Sequence, residues 1–89
     1  MYNILFKKEV IKFLKKHKGE KIISDFEKSL IIIAENPYKS ELDIKPLKGL
    51  ENNYRLRIGK YRFLYLIKES EISIYFFNAG KRGYIYKNI

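Results

Sequence analysis

The first third of the chain alternates apolar and polar residues with the period of an α-helix. A short β-prone run at residues 2–6 comes first. After it, Val10, Phe13 and Leu14 share one side of a lysine-rich segment that extends to about Lys16. This spacing predicts a strand followed by an amphipathic helix.

A second helical pattern begins after Gly19 and is longer than the first. Its apolar positions lie on one face, namely Ile23, Phe26, Leu30 and Ile33. The pattern stops at Asn36, before Pro37, and a proline disfavours helix in the residue that precedes it. We therefore expect a helix of about four turns.

From Pro37 to Asn53 the chain has two prolines, a glycine and no clear period, which predicts a long loop. Alternation with period two begins at Tyr54. Tyr54, Leu56 and Ile58 then face one side of a strand, and Arg55 and Arg57 face the other. The pair Gly59 and Lys60 predicts a tight turn into an antiparallel partner.

The returning strand at 61–67 is apolar on both faces apart from Arg62, which indicates a central position in the sheet. Residues 71–79 supply its next antiparallel neighbour, and 84–88 are a candidate for an extension of the sheet. The order β, α, α, β, β, β predicts the α+β class, with a four-stranded, mostly antiparallel sheet and both helices packed on one face. At 89 residues the chain is expected to form one domain, 1–89.

The composition of the chain excludes several kinds of site and several cellular locations. There is no cysteine, which excludes disulfides, thiolate zinc sites and a cysteine nucleophile, and fits the cytoplasm. The apolar runs are too short to span a bilayer, and the first residues lack the order of a signal peptide, so no membrane association is expected. No cofactor is indicated either.

The net charge of +9 favours an anionic partner such as nucleic acid, an acidic protein or a membrane surface. The charge is unevenly distributed. Residues 1–51 carry eleven lysines and eight acids, whereas 52–89 carry four lysines, four arginines and only two acids. The basic character therefore concentrates in the predicted sheet.

All four arginines fall between positions 55 and 82, although lysines are spread over the whole chain. Arginine presents a rigid fork of donors that can engage a phosphate or carboxylate through two bonds. Arg62 can lie beside Arg55 and Arg57 on the neighbouring strand, where like charges repel. Such a cluster implies either carboxylates brought from elsewhere in the chain or an anionic ligand.

Two interpretations of the cluster remain open. It can be a solvated face that keeps the protein soluble. It can also be a phosphate-binding concavity on the exposed sheet face, joined by Lys81 and Arg82 after the last long strand and by Tyr86 beyond. The segregation of arginine from lysine favours the second interpretation.

If the ligand is RNA, attack of a 2′-hydroxyl on the adjacent phosphate needs a proton acceptor, a proton donor and cations around the phosphorus. The only histidine, His17, is expected to be solvent-exposed at the end of the first helix. The cluster contains no carboxylates, which argues against a bound metal. Tyr84 and Tyr86 lie near Arg82 and are candidate proton acceptors, because neighbouring guanidinium groups favour the phenolate.

Nearly the whole chain resembles the RelE/ParE superfamily of toxins, most closely its RelE branch, and the resemblance is carried by "PLKGL", "YRLRIGKYRFLYLI" and "AGKRGYIYK". The resemblance implies a ribosome-dependent endoribonuclease that cuts mRNA in the decoding site and is silenced by a RelB-like antitoxin. It also implies that the two basic strand residues are Arg55 and Arg57. The arginine of the Tyr-Arg element is Arg62, the late arginine is Arg82 and the terminal aromatic residue is Tyr86.

The sequence departs from RelE in two places. RelE itself has lysines where Arg55 and Arg57 stand, and arginine is a poorer proton donor, so these two are expected to bind phosphate. The gap between Arg82 and Tyr86 is shorter than in RelE itself, which leaves Tyr84 as a substitute. Two alternatives remain: a ParE-like inhibitor of DNA gyrase, or a non-catalytic nucleic-acid-binding domain.

Overall fold

A computed structural model describes residues 1–38 and 41–81. Its elements, in chain order, are β1 (Asn3–Phe6), α1 (Lys8–Lys16), α2 (Lys21–Glu35), β2 (Ile44–Pro46), β3 (Asn53–Ile58), β4 (Tyr61–Lys68), a 3₁₀ turn (Glu69–Glu71) and β5 (Ser73–Lys81). In this part of the chain, no helix has the length and apolar character needed to cross a membrane. The candidate strand at 84–88 lies outside the described residues.

The five strands form one sheet in the order β1-β5-β4-β3-β2. β1 runs parallel to β5, and the other three pairings are antiparallel. The prediction of an α+β fold with a mostly antiparallel sheet is confirmed, but the prediction of four strands is wrong. β2 is the additional strand, and it lies in the segment predicted as a loop.

Both helices end close to the predicted residues. α1 ends at Lys16, and the chain then passes through Gly19 at φ +87°, a left-handed conformation that glycine adopts without a steric penalty. α2 ends at Glu35, one residue before Asn36. The predicted face of α2 is turned inward, because Phe26 and Ile33 are fully buried.

The core lies between the helices and one face of the sheet. Phe26 of α2 stacks on Phe63 of β4 with ring centroids 4.1 Å apart, and meets Phe76 of β5 edge-on at 5.3 Å. Tyr65 is buried beside them, and its hydroxyl donates a 2.8 Å hydrogen bond to the Pro37 carbonyl. Leu64, on the opposite face of β4, is also fully buried, which confirms the central position predicted for this strand.

The outer edge of β5 is covered over only part of its length. β1 pairs with residues Ser73 to Phe76, and a register shift between β4 and β5 follows at Leu64/Tyr65. From 77 to 81, no strand of the described residues pairs with this edge. Among the residues that the structure describes, this end of β5 therefore has an unpaired outer edge, and it lies beside α1.

Candidate nucleic-acid interface

Three arginines lie on the sheet face opposite the helices, and we call Arg55, Arg57 and Arg62 the arginine face. The turn at Gly59, with φ +60°, sets the register of β3 and β4 so that Arg57 lies directly opposite Arg62. Arg55 lies opposite Leu64 on the same face. Leu56, between the two β3 arginines, points into the core.

Asp43 is the carboxylate that pairs with the arginine face within residues 1–38 and 41–81. It lies just before β2, accepts a short hydrogen bond from Arg55 and stands 3.8 Å from Arg57 Nη1. The backbone holds it there, because the Arg57 N–H donates to the Asp43 carbonyl at 2.9 Å. One carboxylate thus faces three guanidinium groups, so the face carries an excess of positive charge.

Arg62 is the least compensated of the three. Only 7% of the residue is exposed. Its Nη1 donates to the carbonyls of Gly59 and Tyr61 at 3.4 and 3.5 Å, which are long bonds. No carboxylate of the described residues lies within ion-pair distance of it. A buried charge without a counter-ion is costly, so this guanidinium is suited to an anion from outside the chain.

Arg55 is held differently from Arg62. Its side chain is 14% exposed and bound to Asp43, yet its Nε is buried without a hydrogen-bond partner in the described part of the protein. Arg57 is half-exposed and also donates from Nε to the Gly59 carbonyl at 3.3 Å. The face therefore combines a partly neutralised arginine, a solvent-accessible arginine and a buried arginine without a carboxylate.

The neighbour of Arg62 on β5 is a glycine. Gly80 of β5 lies opposite Arg62 in the β4–β5 register. A Cβ built at Gly80 would meet no atom of the described residues within 4 Å, and the backbone there is not in the left-handed region. Gly80 therefore adds no side chain to this part of the sheet face, next to the Arg62 position.

Lys81 was expected to join this cluster, but the structure places it on the other side of the sheet. β5 continues as a regular strand through Lys81, which pairs with Tyr61 and alternates with Gly80. Tyr61 packs against α1, so Lys81 lies on the helix side. The other predicted site residues, Arg82, Tyr84 and Tyr86, lie outside the described residues.

Lys81 instead lines a groove of about 550 Å³ between α1 and the end of β5, which we call the α1–β5 groove. Its walls include Lys12, Phe13 and Lys16 of α1, and His17, which directly follows the helix. The prediction that His17 is solvent-exposed is wrong, because its side chain is only 13% exposed. The signal was present in the sequence, since His17 follows the buried Phe13 by one helical turn.

His17 is fixed by three contacts. Its ring centroid lies 4.3 Å from that of Phe13 and 5.2 Å from that of Tyr61. Its Nδ1 is 3.0 Å from Glu20 Oε1. Within the two described ranges, no group of three or more histidine, aspartate and glutamate side chains is arranged to hold a metal ion.

The comparison with protein families identifies the class. The family described as the ParE toxin of the parDE type II toxin–antitoxin system matches residues 4–84. Because this match covers most of the chain, the protein belongs to the RelE/ParE superfamily of type II toxin–antitoxin toxins.

Its relatives lie in the RelE branch. A protein of Methanocaldococcus jannaschii that carries the toxin name RelE1 is 33% identical over 88 residues, covering 98% of this chain and 97% of the relative. The toxin in the RelB–RelE complex from Methanococcus jannaschii is 29% identical with a TM-score of 0.76, covering 96% and 98%. The archaeal RelE–RelB complex from Pyrococcus horikoshii shares the fold at 24% identity and a TM-score of 0.78, covering 93% and 97%.

Proposed function

We propose that the protein is a ribosome-dependent endoribonuclease that cleaves mRNA in the decoding site and thereby inhibits translation. The observation that carries the proposal is Arg62. It is a buried guanidinium without a carboxylate partner among the described residues, placed opposite Arg57 and next to Gly80, which carries no side chain. A phosphodiester supplies the anion that this arrangement lacks.

The proposed reaction is attack of the RNA 2′-oxygen on the adjacent phosphorus. The bond to the 5′-oxygen breaks and this oxygen takes a proton from a water molecule, leaving a 2′,3′-cyclic phosphate and a 5′-hydroxyl. Charge develops on the non-bridging oxygens, and we assign Arg57 and Arg62, which lie opposite each other in the sheet, to donate to them. The guanidinium groups supply the positive charge, so the proposed reaction is metal-independent.

The remaining roles rest on the family resemblance. We assign Arg82 to the same phosphate and Tyr86 to accept or orient the 2′-hydroxyl proton, with Tyr84 as the alternative. Arg55 binds the RNA backbone and does not transfer protons, because arginine remains charged under all relevant conditions. Lys81, on the helix side of the sheet, contacts a neighbouring part of the backbone.

The proposed partners are the ribosome, its mRNA and a cognate RelB-like antitoxin. The solved structures of RelE-branch relatives include complexes of RelE with RelB. The net charge of +9 fits both an acidic antitoxin and ribosomal RNA.

The test is to map cut mRNA ends by primer extension on translating ribosomes, with wild type, Arg62→Ala and the control Lys28→Ala on the exposed side of α2. Loss of one preorganised donor is expected to lower the cleavage rate about 10²–10³-fold for Arg62→Ala. Lys28→Ala removes the same charge away from the face and should cleave normally. Equal cleavage by Arg62→Ala and wild type, with both folded, would refute the proposal.

The family match also supports a second candidate, a ParE-like inhibitor of DNA gyrase. This function uses the fold as a binding surface and does not need the arginine face. A gyrase supercoiling assay run beside the ribosome assay separates the two. Salt-sensitive RNA binding with neither cleavage nor gyrase inhibition would instead indicate a non-catalytic nucleic-acid-binding domain.

A further inference from the structure

The α1–β5 groove carries a positive charge on the side of the sheet away from the arginine face. Lys12 and Lys16, one turn apart on α1, lie along one wall, and Lys81 lies at the end of β5. Glu9 is the acidic residue of the lining. Three ammonium groups against one carboxylate favour an anionic occupant.

The floor of the groove is aromatic. Phe13 and Tyr61 meet edge-on with centroids 5.2 Å apart, and His17 packs against both. A surface of rings bordered by lysines is the combination that binds single-stranded nucleic acid, because bases stack on the rings while the cations follow the phosphates.

The groove and the arginine face meet at the end of β5. Gly80 lies opposite Arg62 on one side and also lines the groove. Because the described chain places no strand on the outer edge of β5 at 77–81, a flexible polymer can pass around this edge from one surface to the other. Over the residues that the structure describes, the two basic surfaces therefore meet along this edge.

An acidic peptide added as an extra strand is a poorer occupant. Main-chain hydrogen bonds give such peptides their affinity. On this edge, however, the Ala79 N–H already donates to its neighbour's side chain, Asn78 Oδ1, at 2.9 Å. A peptide strand would have to break that bond, whereas RNA phosphates would use the lysines and leave it intact.

We infer that the α1–β5 groove is a second RNA subsite, which holds nucleotides flanking the phosphate bound at Arg62. Lys12, Lys16 and Lys81 contact backbone phosphates there, and Tyr61 supports a base. This inference rests on the proposed function, since RNA is taken as the ligand of the arginine face.

The test compares two double variants of α1 with equal charge. Lys12→Gln with Lys16→Gln removes two groove lysines, whereas Lys8→Gln with Lys15→Gln removes two exposed lysines of the same helix outside the groove. Binding of a fluorescent 12-nucleotide uridine RNA is measured by anisotropy over a series of salt concentrations. Each lost phosphate contact lowers the log–log salt slope by about 0.7 for single strands, so the groove variant should lose about 1.4.

The control variant, Lys8→Gln with Lys15→Gln, should reduce the log–log salt slope much less than the groove variant, Lys12→Gln with Lys16→Gln. Equal losses in the two variants would show a general charge effect and overturn the subsite. An unchanged slope in the groove variant would overturn it as well. A third result would also overturn it: the groove variant no longer binds a fluorescent polyglutamate peptide but still binds RNA. The groove would then be a peptide site.

The ribosome assay keeps the two proposals separate. If wild type cleaves mRNA and the groove variant binds RNA as wild type does, the proposed function stands and the subsite fails. If the groove variant loses the expected slope but wild type does not cleave, the subsite stands and the nuclease assignment fails. Thermal unfolding of both variants checks that their folds are intact.

Discussion

Arg57 of β3 and Arg62 of β4 occupy directly opposed positions of an antiparallel pair, although both side chains are cationic. Like charges at such positions destabilise a sheet by up to about 1 kcal/mol. Asp43 compensates only in part, at 3.8 Å from Arg57. The pair is therefore better explained by binding of an anion than by stability.

Arg57→Gln is expected to leave the free energy of unfolding unchanged or raise it by up to about 1 kcal/mol, because it relieves this repulsion. The same change should weaken mRNA cleavage. Urea unfolding at low salt measures the first effect, and the gain should shrink as added salt screens the charges. Lys28→Gln, an exposed lysine elsewhere, serves as control. A marked loss of stability in Arg57→Gln would contradict the assignment of a strained, functional pair.

Asp43→Asn tests the only carboxylate that the described residues offer to the arginine face. It leaves the largely buried Arg55 guanidinium without its counter-charge, and we expect a loss of about 1–3 kcal/mol in the free energy of unfolding. Asp25→Asn is the control, because Asp25 only faces an exposed Lys21 at 4.0 Å and should cost less than about 0.5 kcal/mol. If urea unfolding shows the same loss of unfolding free energy for Asp43→Asn and Asp25→Asn, Asp43 does not stabilise Arg55.

The helices and the β3–β4 hairpin could be predicted because their signals are local. The apolar spacing around Phe26 specifies a helical face within four turns, and the Gly59 turn specifies a register without reference to the rest of the chain. The same register places Arg57 beside Arg62, so the centre of the arginine face follows from a short stretch of sequence.

What sequence reasoning missed depends on distant pairings. β2 has only three residues, too few for a period, and its existence depends on pairing Ile44 with Leu56. The parallel contact of β1 with β5 joins Asn3 to Ser73 across most of the chain. These partners are brought together by the packing of the whole sheet, which no local pattern records.

Sequence reasoning failed to place two residues of the site for the same reason. Asp43 lies in the segment without a period, and only the β2–β3 pairing brings it to Arg55. Lys81 was assigned to a loop beside the arginines, whereas the strand continues and turns it to the other face. Predicting the end of β5 two residues too early was therefore enough to assign the Lys81 side chain to the wrong face of the sheet.

Alkaline pH should reveal the contact between Tyr2 and Glu69. The Tyr2 hydroxyl donates to Glu69 Oε1 at 2.6 Å, and this hydrogen bond, followed by desolvation and the carboxylate charge, raises the pKa of Tyr2 to about 12 from 10.0. The raised pKa favours the neutral phenol in the folded state. Its contribution to stability is thus complete below pH 10 and is lost as the pH rises from 10 towards 12.

Tyr2→Phe should accordingly be less stable than wild type at pH 8, and the difference should narrow above pH 10. Urea unfolding at pH 8, 9.5 and 10.5–11 measures the free energy of unfolding of both proteins. Tyr61→Phe is a suitable comparison, because no hydrogen bond of the Tyr61 hydroxyl is present among the described contacts. A constant difference between Tyr2→Phe and wild type across this range would show that the hydroxyl does not titrate with folding.

Substitutions at Gly80 test whether the space beside Arg62 is the route to the phosphate. An added Cβ would meet no atom of the described residues within 4 Å and the backbone is not left-handed, so Gly80→Ala should be accommodated without strain. The side chains of Ala, Val and Leu would increasingly cover the Arg62 guanidinium. Cleavage on ribosomes should therefore fall in the order Gly80→Ala, Gly80→Val, Gly80→Leu, while the free energy of unfolding of Gly80→Ala stays within about 1 kcal/mol of wild type. Full cleavage by a folded Gly80→Leu would show that RNA does not reach Arg62 from this face.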